Sequence, residues 1–164
     1  MRRWMFVLLV PFVLTLCAWG GAKASSQFKA VEIKHFTGAE GVELTPEFYD
    51  FLYADLKAEL QKTKLFENFI GEGEVIESAD APKTASIEGN VLEYKKGSVT
   101  KEVLIGFGAG RRTLISHVKI VRVSDKQVLL DKEIKVRTMA RWDNKLLAKV
   151  LAKNIANECK QNLK

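Results

Sequence analysis

The residues best equipped for chemistry lie together at Gly106-Phe107-Gly108-Ala109-Gly110-Arg111-Arg112. Backbone N–H groups of a glycine turn, with two guanidinium groups beside them, could hold a phosphate, a carboxylate or a lipid headgroup. The spacing excludes two nucleotide-binding devices. A dinucleotide loop needs G-x-G-x-x-G between a strand and a helix, so that a helix N-terminus faces the pyrophosphate. Here Arg111 stands where the third glycine would be, and a β-like run follows. A phosphate-cradling P-loop needs Gly-Lys-Ser or Gly-Lys-Thr, which is absent. Two structural readings compete with an anion nest. Glycines two apart in an extended chain leave a flat slot on one face, with Phe107 and Ala109 on the other. Alternatively, the glycines take positive φ and make a compact loop. Packing is the first reading of the stretch. The candidate ligand-binding residues of the second reading are Gly106, Gly108, Gly110, Arg111 and Arg112.

No catalytic set is expected, and no cofactor or metal. The two histidines, His35 and His117, each fall inside a strand pattern, and no Cys/His spacing supplies the further ligands zinc requires. Ser116 and His117 are neighbours on a strand and therefore point to opposite faces, so they cannot act as nucleophile and base. Asp50, Asp55, Glu59, Asp125, Asp131 and Glu133 sit in no distinctive motif and read as solvated surface. The lysines near the C-terminus read as a solvated helix face rather than a nucleic-acid surface. Three of the six excess positive charges, Arg2, Arg3 and Lys23, belong to the N-terminal segment, so charge gives nucleic-acid binding little support.

That segment has the layout of an export signal. Arg2 and Arg3 precede an apolar run from Met5 to Ala18, and Ala22-Lys23-Ala24 is a small-residue cleavage site. The run is short for a membrane span, which takes about 20 apolar residues. Cleavage after Ala24 leaves a single α+β domain over 25–164. Leu14-Thr15-Leu16-Cys17 offers an alternative, a lipid anchor at Cys17, although Leu16 stands where a small residue is usual. The expected location is the periplasm or the bacterial cell envelope. After cleavage Cys159 is the sole cysteine, so the domain has no internal disulfide. It reads as a buried thiol on a helix face.

The elements that must position these residues follow from periodicity. Phe28–Phe36 alternates as a half-buried strand, with Val31, Ile33 and His35 on one face. Thr37–Gly41 is a loop. Thr45-Pro46 is a hydroxyl cap followed by proline at a first helical position, and Phe48, Tyr49, Leu52, Leu56 and Leu60 form one apolar stripe. A short strand-like piece covers Leu65 to Ile70, and 71–82 is acidic and loop-like. Thr84–Tyr94 is a second β run, with Ile87, Gly89 and Val91 on one face. Lys95–Ser98 is a turn or the start of an irregular excursion. Val103–Gly110 and the long run Thr113–Val123 come next, followed by a turn at 124–127 and a returning strand over Val128–Val136. The last segment, Asp143 to about Leu163, is a helix whose stripe is Leu147, Val150, Leu151, Ile155 and Cys159. The sum is an α+β fold: a mixed, mostly antiparallel sheet with two main helices packed on one face.

In this order the chain resembles a family of bacterial envelope proteins, many of them lipoproteins, defined as domain-of-unknown-function family 4410. The resemblance rests on Leu60 with Leu65-Phe66 after the first helix and on Ile87-Glu88-Gly89-Asn90-Val91. It rests also on the signature Gly106-Phe107-Gly108-Ala109-Gly110, and on Val128-Leu129-Leu130 after the Ser-Asp turn. The order of elements is more distantly similar to the periplasmic domain of the curli secretion component. The resemblance implies an exported, non-enzymatic interaction or assembly module with envelope proteins as partners and membrane association as a further option. It transfers no catalytic residue.

Overall fold

The computed structural model describes residues 28–77, 79–105 and 110–163. The expected signal segment, with Cys17, and the 106–109 part of the glycine stretch lie outside the described residues. Ten elements follow in order: β1 (Ala30–Ile33), β2 (Thr37–Gly38), α1 (Pro46–Thr63), β3 (Asn68–Gly71), a 3-10 turn (Ala81–Lys83), β4 (Thr84–Lys95), α2 (Val99–Ile105), β5 (Arg112–Arg122), β6 (Val128–Thr138) and α3 (Asn144–Asn162).

One sheet runs β3-β1-β4-β5-β6, with β2 also paired to β4. β1 lies parallel to both β3 and β4, and β2 continues along β4 in the same sense. The long ladders β4–β5 and β5–β6 are antiparallel. The sheet is therefore mixed, with its antiparallel half carrying most of the pairing, and the fold is α+β as the periodicity predicts.

Alternation divides the sheet faces. Leu114, Ser116, Val118 and Ile120 of β5 are buried, and register sets them beside Ile87 and Val91 of β4 and Ile134 and Val136 of β6. Phe48, Leu52, Leu56 and Leu60 of α1 and Leu147, Leu151, Ile155 and Cys159 of α3 close over this face in one core. Burying such a side chain contributes about 1.5–3 kcal/mol, so these stripes rather than helix propensity hold α1 and α3 in place. The opposite face is polar, with Glu88, Lys119 and Asp131 in one cross-strand row and Asn90, His117 and Glu133 in the next.

Four local expectations change. Thr37 and Gly38 form a short strand instead of a loop. β1 ends at Ile33, and His35 is exposed instead of sharing the buried face of Val31. Thr45 takes the extended cap position of α1, but its hydroxyl makes no capping bond. It bonds Glu47 instead, whose carboxyl is held below the usual range by its own backbone N–H and by that hydroxyl. Finally, the excursion expected to open at Lys95–Ser98 contains a helix, α2, where no helix is expected. Its residues, V-T-K-E-V-L-I, lack an apolar stripe at helical spacing. Local bonds hold the turn: Glu102 N–H donates to Ser98 O at 3.0 Å, and Lys101 N–H donates to Ser98 Oγ at 3.4 Å.

Candidate functional site

Gly110 is the one glycine of the signature within the described residues. It has φ +79°, a conformation L side chains rarely adopt. A Cβ there would overlap Ser98 O and stand 3.0 Å from Glu102 N. Ser98 N–H donates to Gly110 O at 2.7 Å. Gly97 completes the junction: a Cβ on it would lie 2.6 Å from Gly110 O and 2.7 Å from Ala140 Cβ. At Gly110 the compact positive-φ loop is thus the correct one of the two structural readings. The extended slot expected of glycines two apart occurs elsewhere, at Gly89. There a Cβ would overlap the Phe36 ring, with Cζ 2.6 Å away.

The junction anchors α2 in an inverted orientation. Glu102 is the half-buried residue of this helix, and its Oε2 accepts the Ala140 N–H at 3.0 Å. The apolar residues face outward: Val103, Leu104 and Ile105 are 75, 78 and 68% exposed, and Val99 is 52% exposed. A carboxylate turned toward the body and four aliphatic side chains turned toward solvent reverse the usual amphipathic arrangement.

The two arginines part company. Arg111 is exposed. Arg112 starts β5 on the same face as Leu114 and reaches the first residue of α3, where Nη1 donates to Asn144 Oδ1 at 3.1 Å. Its Nε is buried without a hydrogen-bond partner. A polar cleft of about 440 Å³ opens beside it, lined also by Glu43, Thr45, Tyr94, Lys96 and Asn144.

A family profile described as a domain of unknown function, DUF4410, matches residues 33–158. The chain belongs to this family. No curated protein matches it in sequence. Solved structures with a similar fold include the PelC dodecamer from Paraburkholderia phytofirmans, at 13% identity and TM-score 0.57 over 79% of this chain and 86% of that one. Protein XCC0632 from Xanthomonas campestris, of family DUF330, matches at 9% identity and TM-score 0.56 over 85% of this chain and 89% of that one. The hypothetical protein CT253 from Chlamydia trachomatis matches at 10% identity and TM-score 0.57 over 83% and 98%. At these identities the likeness is one of fold.

Elsewhere in the DUF4410 chain each histidine pairs with a carboxylate. His35 Nδ1–H donates to Glu72 Oε2 at 2.8 Å, and the ring stacks on Tyr53 with centroids 5.3 Å apart. Glu72 is held below the usual carboxylate range, first by the His35 backbone N–H and then by its side chain. His117 Nε2 meets Asp131 Oδ1 at 2.6 Å across the open face. Among the described residues no three His, Cys, Asp or Glu side chains gather as metal ligands would. Cys159 is buried in the core as its helix position predicts, and burial pushes its thiol up to about 12. Sequence reasoning singled out Arg112 but missed Glu43, Thr45, Tyr94, Lys96 and Asn144 as its surroundings. They come from three segments separated from one another and from Arg112, and the β4–β5 ladder and the α1–α3 packing bring them together.

Proposed function

We propose that this DUF4410 protein is a non-enzymatic module of the bacterial cell envelope that assembles with further copies of itself through α2. The observation that carries this is the inverted helix. Exposing Val99, Val103, Leu104 and Ile105 in water is unfavourable, and the bonds from Ser98 and Glu102 keep them displayed rather than letting the segment fold back. A protein of the same fold, PelC, is solved as a dodecamer, which supports a second copy as the occupant of this surface. The export-signal pattern at residues 1–24 supports a location in the periplasm or at the membrane for this assembly, with cleavage after Ala24 as the main route and a lipid anchor at Cys17 as the other.

Site-specific photo-crosslinking in cells tests this reading. A photoreactive residue at position 104 should yield a dimer-sized adduct of the chain with itself, and one at position 119, on the polar sheet face, should not. Adducts at 104 that contain only lipid or other proteins would overturn self-assembly.

A further inference from the structure

We propose that the cleft beside Arg112 binds a small oxyanion, a phosphate or carboxylate group, with Arg112 as principal ligand and Lys96 as second cation. The argument is independent of the assembly reading and starts from an unpaired group. Arg112 carries a permanent charge and five donors. One terminal nitrogen is spent on Asn144, and the Nε–H is buried without an acceptor. Among the described residues no carboxylate forms an ion pair with this guanidinium. A buried donor without an acceptor is costly, and for a charged group the cost is larger.

The neighbouring position has the same deficit. Thr138 stands opposite Arg112 in the β5–β6 register and is 3% exposed, and its Oγ1 also has no partner. Two other buried hydroxyls are served by the fold, Ser116 Oγ donating to Asn90 O and Thr84 Oγ1 to Asp80 O, while that of Ser86, at the far end of the β4–β5 ladder, is also without a partner. What sets Arg112 apart is that its unpaired Nε belongs to a side chain lining a cleft large enough for a small ligand.

The lining suits an anion with a polar body. Lys96 adds a second positive charge, while Thr45, Tyr94 and Asn144 offer hydroxyl and amide groups. Glu43 is the acidic member of the lining, and it favours a ligand that also carries a hydroxyl or amine donor. An oxygen bound at Nε would supply the missing acceptor with a charge-assisted bond. Among the described residues of the glycine-arginine stretch, Gly110 and Arg111 take no part in the lining and Arg112 does.

Thermal unfolding of the purified protein tests the site, with sodium phosphate and sodium acetate each compared with sodium chloride at equal ionic strength. One of the two anions should raise Tm saturably beyond the chloride control. A response to phosphate alone assigns a phosphate group, and a response to acetate alone a carboxylate. Arg112→Met should abolish it. Lys96→Ala should leave the ligand-free Tm unchanged and weaken the apparent affinity about two- to fivefold. Arg111→Ala and Leu104→Glu should leave the response intact, the latter separating this site from the assembly surface. If Arg112→Met does not fold, Lys96→Ala and Arg112→Lys decide. Equal responses in wild type, Lys96→Ala and the Arg112 variant, or no response beyond chloride, would overturn the proposal.

Discussion

Gly89 and Gly110 are both positions where no Cβ fits, yet they belong to different kinds of structure. At Gly89 the missing side chain makes room for the Phe36 ring against β4, inside the layer that α1 and α3 cover. At Gly110 the backbone turns at φ +79° under Ser98 and Glu102, at the root of a helix whose apolar side chains face solvent. The first glycine serves the core, and the second serves a displayed element. Stability should therefore be concentrated at one and interaction at the other, because regions with few buried apolar contacts open locally without unfolding the whole.

The largest effect is expected at Gly89. Gly89→Val drives a side chain into the buried Phe36 ring and should lower global stability by about 1–3 kcal/mol, read from the urea midpoint at unchanged slope. A midpoint equal to wild type would mean that Phe36 moves aside freely. Gly110→Val should shift the midpoint less. The strain of a branched residue at positive φ is on the order of 1–3 kcal/mol, but release of α2 relieves it. Its signature is faster amide exchange over 99–105 with protection retained in β4 and β5. Loss of protection throughout the sheet would place α2 within the core's cooperative unit.

A third contrast lies in α3. The Cys159 thiol is pushed up to about 12 by burial, whereas in the unfolded chain it ionises near its ordinary value of 9.0. The neutral form is thus favoured by the fold. Its contribution is complete below pH 9 and declines as pH rises from there toward 12. Cys159→Ala should flatten that part of the alkaline stability profile while changing little near neutrality beyond the cost of a smaller side chain. Native wild-type protein should also resist thiol reagents at pH 8. Rapid labelling would refute the buried assignment.

The same division separates what sequence made legible from what it did not. The stripes Leu52-Leu56-Leu60 and Leu147-Leu151-Ile155, and the alternation of Leu114, Val118 and Ile120, are repeated signals, and each named its element and its buried face. Single residues carried less. His35 continued the alternation of Val31 and Ile33, but the strand stops at Ile33, and nothing local marks that stop. Helix α2 was illegible because Val103, Leu104 and Ile105 are consecutive, a run without helical period, and Glu102 interrupts the spacing that begins at Val99. What orients it is one long-range bond from Ala140 N–H to Glu102, which lies beyond any local pattern. The cleft beside Arg112 was half legible: the arginine stands out beside glycines, while Lys96, Thr45 and Asn144 are ordinary residues until the fold gathers them.

The central claim is that α2 is an assembly surface, and sedimentation velocity tests it most directly. Wild-type protein should sediment as an oligomer with a concentration-dependent distribution. Leu104→Glu, altering a side chain that is 78% exposed, should sediment as a monomer with an unchanged melting temperature. A wild-type protein that stays monomeric at all accessible concentrations, or a Leu104→Glu variant that assembles as wild type does, would contradict the account.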